Sequence, residues 1–241
     1  MTLTARMLPR FMAPLALVLA LPAVAHAQYT IPGPPVTPVD MYDIEVDAGA
    51  EGTALTGYCP GPFLPDEAAF CRTMAPPKRA RDTLPVGGVA LSIVAPSAMS
   101  SLQVTNNGRP ARVRHSAPSE RASLPPLTVA GPRTLTFTAQ YAAGYKRVYL
   151  LKVVPLAEVT ARPLRRGATR VSVAANVDGK IAVGRTCRAA AALPAKRRVP
   201  VLGGATQRVT LPGGRRTTSV CVIVRADDRK RVQRVTAKVR P

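Results

Sequence analysis

Apolar and polar residues alternate along much of this chain, in short runs separated by turn-forming residues. In the run 230–240, every second position from 235 to 239 is valine or alanine and the positions between carry charged or hydroxyl side chains, which predicts a strand with one buried and one wet face. In the run 218–224 both parities are apolar, which indicates a strand covered on both faces. The turn residues 226–229 separate the two runs, so we expect a hairpin.

The same alternation predicts strands upstream. Val171 and Val173 precede the turn residues 176–179, and the alternation resumes at Ile181 and Val183, which predicts a second hairpin. No stretch shows a sustained 3.6-residue period bounded by helix caps, so we expect little helix.

A further β-rich block precedes these hairpins. Within residues 84–159, strands are predicted at 88–95, 135–139 and 147–154, with a hairpin turn at 106–108. Short strands separated by frequent turns are typical of a sandwich.

We therefore predict an all-β protein with two tandem antiparallel β-sandwich domains, residues 84–159 and 160–241. The preceding residues 28–83 form an irregular, proline-rich leader with a small disulfide-closed loop and a linker, and the alternation at 41–47 predicts an edge strand with an acidic outer face. Residues 1–27 are assigned to a signal peptide.

The signal peptide is predicted from three features. Arg6 and Arg10 precede an apolar run, and Ala25-His26-Ala27 has the small-x-small pattern of a signal peptidase site. The apolar run is interrupted by prolines and is shorter than the roughly 20 residues that a spanning helix needs. We expect an exported product, secreted or associated with the cell wall, with no membrane span after cleavage.

Four cysteines remain after this cleavage. Cys59 and Cys71 bracket a proline-rich stretch, which predicts a small disulfide loop. Cys187 and Cys221 each share parity with neighbouring apolar positions, so both thiols are expected in one core and bridged. Sequence alone leaves three pairings open, and free buried thiols are the alternative for the second pair. The cysteine spacing does not match zinc patterns, so no metal site is expected.

Two hairpins that close the two blocks carry a family resemblance. Residues 135–138 lead to 149–154, and residues 218–224 lead to 234–239. This arrangement resembles the immunoglobulin-like or fibronectin-type sandwich modules of exported bacterial proteins, and it implies structural, adhesive or carbohydrate-associated roles. The chain departs from true immunoglobulin domains in having no tryptophan and in the short separation of its second cysteine pair.

Positive charge is concentrated in the last block. The formal net charge is +21, and residues 160–241 hold 20 basic and three acidic residues. The last strand and the turn before it predict a polyanion-binding surface, with an acidic cell-wall polymer or nucleic acid as partner. The predicted contact residues are Arg229, Lys230, Arg231, Arg234, Lys238 and Arg240. The alternative is that the arginines reflect composition, keep the protein soluble and discourage edge pairing.

Candidate catalytic groups are few. After signal cleavage His115 is the one histidine, and no Gly-x-Ser-x-Gly motif or phosphate-binding glycine loop accompanies it. The carboxylates Asp66 and Glu67 leave a secreted hydrolase as a third alternative. Tyr145 and Tyr149 share parity and either pack at a sheet edge or form an aromatic platform.

We therefore expect a non-enzyme without cofactors: a secreted or cell-surface structural or interaction protein, whose partner is another protein or an acidic polymer. The alternative function is polyanion binding through the basic last domain. The two are distinguished by whether the bases of that domain cluster on one surface or scatter around it.

Overall fold

The computed structural model describes residues 43–59, 78–213 and 217–240. The predicted signal peptide, the first part of the leader, Cys71, Asp66 and Glu67 lie outside these residues. Nearly all of the described elements are β-strands, which confirms the all-β prediction. The helical pieces among the described residues are an α-helix at Cys187–Ala191 (α1) and two 3₁₀ turns, Arg165–Gly167 and Ala195–Arg197.

The first half of the described chain forms a sheet of nine strands in the order β2-β1-β4-β8-β9-β3, with β5 and β7 attached to β4 and β6 attached to β7. The strands are β1 Ile44–Ala48, β2 Glu51–Leu55, β3 Asp82–Val86, β4 Val89–Asn106, β5 Arg109–Pro110, β6 Arg114–His115, β7 Ser119–Leu127, β8 Arg133–Tyr141 and β9 Lys146–Pro155.

The long strand β4 turns this sheet into a sandwich. Its first half pairs with β1 and β7, and its second half pairs with β8. Register shifts fall between Val94 and Ser101, and the buried parity changes there, from Leu91 and Ile93 to Leu102. A bulge of this kind bends a strand and reverses which residues face inward, so β4 leaves one layer and joins the other.

The predicted edge strand and the uniform antiparallel pairing need correction. β1 lies between β2 and β4 rather than at an edge, and it supplies Ile44 and Val46 to the first core. β3 pairs with β9 in parallel, whereas the other paired strands are antiparallel. The alternation of this acidic segment correctly indicates a strand, but an alternating pattern does not say how many neighbours a strand has.

The second half forms a smaller sandwich of two sheets, β10-β11-β14 and β13-β12-β15-β16. All neighbouring strands within these sheets are antiparallel, and their inner faces share one apolar core, as in immunoglobulin-like folds. The strands are β10 Ala157–Pro163, β11 Thr169–Ala175, β12 Gly179–Gly184, β13 Val199–Val201, β14 Thr206–Leu211, β15 Ser219–Ala226 and β16 Val232–Lys238.

One of the two predicted hairpins in this block is confirmed and the other is wrong. β15 and β16 pair along their length, with Ser219 opposite Lys238 and Arg225 opposite Val232. β11 and β12, which flank the turn at 176–179, lie in different sheets. Turn residues specify that the chain reverses direction, but they do not specify whether the two strands then pair or pack across a core.

Candidate polyanion interface

The outer face of the β12–β15–β16 sheet carries a row of basic side chains. Lys180 on β12 lies directly opposite Arg225 on β15. Arg225 faces Val232, so Arg234, two residues further along β16, is its diagonal neighbour. All three side chains are exposed. We call Lys180, Arg225 and Arg234 the first cationic line.

This line concentrates positive charge on one sheet face, with Asp227 as the acidic residue beside Lys180 and Arg225. Among the described residues, no ion pair involves any of its three members. Like charges directly opposite each other on neighbouring strands are destabilising, and diagonal neighbours lie about 7–8 Å apart, within reach of long side chains. The three cations therefore raise the local positive potential, and an anionic ligand would relieve their repulsion.

A concave surface region of about 510 Å³ adjoins the line at the end of the sheet. Lys180 and Arg225 line it, together with Arg198 and Arg229, and Asp227 is the acidic residue among its lining residues. Arg198 Nε donates to the carbonyl oxygen of Leu193 at 3.3 Å, which orients its guanidinium. The sequence did not reveal this region, because its residues come from three separate segments of the chain.

The disulfide lies on the same outer face. Cys187 and Cys221 are bridged, with their Cα atoms 5.0 Å apart, so the predicted pairing is confirmed. Cys221 packs with Ala182, Ala190 and Ile223 in a small cluster that is separate from the main core. Cys187 packs against the same cluster, so the two thiols share one small core. The second apolar parity of β15 faces α1 and this cluster.

Helix α1 is held on this face by a local cap and by the disulfide. The Thr186 hydroxyl accepts a hydrogen bond from the backbone N–H of Ala189 at 3.1 Å, an N-cap that ends the preceding extended chain. Ala190 is completely buried. Cys59 is also disulfide-bonded, and its predicted partner Cys71 lies outside the described residues.

The residues predicted to bind a polyanion divide into two groups. Arg229, Lys230, Arg234, Lys238 and Arg240 are exposed, and the last three lie on the outward parity of the final strand and its extension. Arg231, in contrast, is buried.

Arg231 is enclosed by acceptors. Its Nε donates to Asp228 Oδ2 at 2.6 Å, its Nη1 and Nη2 donate to Glu51 at 2.8 and 2.7 Å, and Nη1 also donates to the Pro85 carbonyl oxygen at 3.2 Å. Burial alone would lower the pKa of Arg231, but the hydrogen bonds and charges of Glu51 and Asp228 raise it. Its charge is neutralised within the protein, so Arg231 is not part of the candidate interface.

Asp228 is the second member of this ion-pair network. Burial would raise the pKa of Asp228, but hydrogen bonds from the backbone and side chain of Arg231 and from the backbone of Lys230 outweigh that effect and hold the pKa below its ordinary value. Both backbone N–H groups donate to Asp228 Oδ1 at 3.0 Å. The network joins the β15–β16 turn to Glu51 in β2 and Pro85 in β3.

The opposite outer face, on the β10–β11–β14 sheet, carries a second row of bases. Arg162 lies directly opposite Arg170. Arg170 faces Thr210 on β14, so Arg208 is its diagonal neighbour. All three are exposed. We call Arg162, Arg170 and Arg208 the second cationic line.

The bases of this sandwich therefore do not cluster on one surface: other exposed bases, such as Arg165, Arg188 and Lys196, lie in its helical pieces. Two lines of three cations occupy its two opposite outer faces. Sequence reasoning found one strand of the first line and missed the second, because both depend on cross-strand partners.

The remaining candidate groups, the tyrosines and His115, make contacts within the first sandwich. Tyr141 and Tyr149 are buried with their hydroxyl oxygens 2.6 Å apart, and burial, followed by the nearby Tyr141, raises the pKa of Tyr149. They pack in the first core, and Tyr145 is partly buried against it, so Tyr145 and Tyr149 form no exposed platform. His115 lies in β6, with Nε2 3.4 Å from the Ser119 carbonyl oxygen. No helix among the described residues is long and apolar enough to cross a membrane.

Comparison with known proteins gives similar solved structures but no sequence match. No protein-family model matches the chain, and no curated protein matches its sequence. Bovine butyrophilin is similar in structure at 12% identity and a TM-score of 0.24, over 69% of this chain and 97% of that chain. The fibronectin(III)-like modules of Clostridium thermocellum CbhA are similar at 13% identity and a TM-score of 0.23, over 68% and 91%.

A third similar structure is the Bacteroides ovatus mixed-linkage glucan utilization locus protein SGBP-B, in complex with a mixed-linkage heptasaccharide. It has 11% identity and a TM-score of 0.24, and the alignment covers 85% of this chain and 62% of that chain. Similarity this low transfers no ligand and no binding residue.

Proposed function

We propose that this protein is an exported, non-catalytic interaction module whose second sandwich binds an acidic polymer of the cell envelope. The observation that supports the proposal is the first cationic line, Lys180, Arg225 and Arg234, exposed on one sheet face without an ion pair among the described residues. The predicted signal peptide supports export, and so does the Cys187–Cys221 bridge, since such bonds persist in oxidising compartments.

The spacing of the line suits a chain that carries repeated charges. Neighbouring strands lie about 4.7–4.9 Å apart, so three cations on adjacent strands extend over roughly 10 Å. Two of the three are arginines, whose guanidinium groups bind carboxylate, phosphate or sulfate oxygens in a bidentate manner. Lys238 and Arg240 extend the basic surface along the last strand.

The chemical class follows from what residues 160–241 contain. They include no Phe, Tyr or Trp, so neither sugar rings nor unpaired bases find an aromatic surface on which to stack. Recognition then rests on charge, which favours a flexible acidic polysaccharide over a neutral glycan or single-stranded nucleic acid. Duplex DNA, which is bound largely through its phosphates, is the competing ligand in the test.

The test compares matched charge-removal variants of residues 28–241. One variant carries Lys180→Gln, Arg225→Gln and Arg234→Gln; the control carries Arg109→Gln, Arg112→Gln and Arg121→Gln, three exposed bases of the first sandwich. Affinity for an acidic polysaccharide of defined length, such as polygalacturonate, is measured by fluorescence anisotropy across a salt series. We expect the first variant to bind at least about twofold more weakly at low salt, which corresponds to at least about 0.4 kcal/mol, and the control to change little.

Three results would contradict the proposal. Equal weakening by the control would show that only net charge matters. Tighter binding of duplex DNA at the same salt, with a log–log slope of about 0.9 per contacted phosphate, would assign the surface to nucleic acid. Shortening of the polysaccharide during incubation, measured by size-exclusion chromatography, would contradict the non-catalytic role.

A further inference from the structure

We infer that the second sandwich cross-links two acidic polymer chains, one on each outer face. This inference rests on the proposed function, because it requires that a cationic line binds such a polymer. It adds the second cationic line, Arg162, Arg170 and Arg208, as a second binding site of the same class.

The two lines have the same layout. In each, two bases lie directly opposite on neighbouring strands, and the third base is diagonal to one of them on the next strand. The second line has Arg162 on β10, Arg170 on β11 and Arg208 on β14, and all three residues are arginine. A polymer segment that suits the first line therefore meets an equivalent charge spacing at the second.

The surroundings of the second line are also favourable to an anion. No ion pair among the described residues involves its three arginines. The acidic residue of this face is Glu158, which lies four residues from Arg162 along β10, about 13 Å away. Hydroxyl side chains stand between the arginines on the same parity, at Ser172 and Thr210. They offer donors to anionic oxygens.

Because the two lines lie on opposite faces, one straight polymer segment cannot contact both. The two sheets pack through a shared apolar core, so their outer faces point in opposite directions. Packed sheets are about 10 Å apart, and the side chains of both outer faces add to that separation. A polymer bound to one line leaves the other open to a second chain, unless the same chain bends around the sandwich.

The test measures bridging separately from binding. Two samples of the same acidic polysaccharide, one with a donor and one with an acceptor fluorophore, are mixed with the protein, and energy transfer between them reports cross-links. Wild-type protein is expected to give transfer that rises with protein concentration and falls again at excess protein, when each chain is saturated.

Two variants separate the lines. Lys180→Gln with Arg225→Gln and Arg234→Gln removes the first, and Arg162→Gln with Arg170→Gln and Arg208→Gln removes the second. Each variant should still bind single chains, as seen by anisotropy, but should lose energy transfer to the level of the protein-free mixture. The control variant at Arg109, Arg112 and Arg121 should bridge like wild type. Circular dichroism and thermal melting confirm that each variant is folded.

The outcomes distinguish the two proposals. If wild-type protein does not bind the polysaccharide, the proposed function is wrong. If it binds without energy transfer, the proposed function stands and the bridging inference is wrong. If either single-line variant still bridges, the cross-link does not use two opposite faces, and the inference is again wrong.

Discussion

At the scale of single residues, neighbouring arginines of one turn have opposite roles. Arg229 is exposed, whereas Arg231 is 2% exposed and is held by Asp228 and Glu51. The difference arises from the acids that surround Arg231, one local and one 180 positions away in sequence. A cation that has bidentate acidic partners in the protein is unavailable to a ligand.

Arg231→Met should therefore destabilise the protein by about 3 kcal/mol, because it leaves Asp228 buried without its charged partner. The matched control is Arg229→Met, the same change at an exposed position, which should stay within about 0.5 kcal/mol of wild type. Urea unfolding followed by circular dichroism measures both. Equal free energies of unfolding for the two variants would show that the ion-pair network contributes nothing.

The depressed pKa of Asp228 has a consequence for acid stability. A carboxyl whose pKa is lower in the folded state stabilises the fold above its unfolded pKa of about 3.9, and this contribution is lost as the pH falls through the folded value. Asp228→Asn keeps an oxygen for the two backbone N–H donors but removes the charge. The variant should be less stable at pH 6, and its difference from wild type should shrink below about pH 4. A difference that is constant with pH, measured by urea unfolding, would contradict this.

At the scale of elements, β15 is apolar at both parities because both of its faces are covered. Val220, Val222 and Val224 face the main core, while Cys221 and Ile223 face α1 on the other side. The disulfide thus fastens a short helix to the outer face beside the first cationic line. A five-residue helix is marginal on its own, so its position depends on this bond and on the buried Ala190.

Replacing both Cys187 and Cys221 by Ala should destabilise the protein by roughly 3–4 kcal/mol in the loop-closure model, since the bridge joins residues 34 positions apart. The double variant isolates this bond, because chemical reduction would also open the one at Cys59. Differential scanning calorimetry measures the loss. Hydrogen exchange at α1 should become faster in the double variant than in wild type, and by more than in the β15–β16 hairpin. Unchanged exchange at α1 would show that packing alone holds the helix.

At the scale of the whole molecule, two apolar cores follow each other along the chain. The first is built from residues between Ile44 and Val153, and the second from residues between Leu156 and Ala226. Among the described residues, hydrogen bonds between the two parts include Val232 N–H to the Gly87 carbonyl oxygen and those of Arg231 to Glu51 and Pro85. The domain boundaries themselves stay a prediction.

A fragment of residues 156–241 with its disulfide intact should fold alone, because it contains every strand and apolar residue of the second core. It starts at Leu156, which is completely buried in that core, rather than at 160. We expect a β-type circular dichroism spectrum and a cooperative melt, at a lower temperature than in the full chain because Arg231 loses Glu51. A random-coil spectrum would show that this block needs the first sandwich for its core.

Sequence alone determined the strand-rich class, the β15–β16 hairpin, and the outward parity of Arg234 and Lys238. These are local properties: a strand exposes every second side chain, so a period of two in the sequence reports directly which side chains share a face. The Cys187–Cys221 pairing and the shared parity of Cys221 and Ile223 were also predicted, although the separation of their cluster from the main core was not.

The tertiary structure alone decided which strands are neighbours, and much of the candidate site depends on that. Arg231 is buried by Glu51, and Lys180 meets Arg225 across strands that are distant in sequence. The second cationic line exists because β10, β11 and β14 form one sheet. Pairing is set by the packing of the whole core, which alternation within a single strand does not encode.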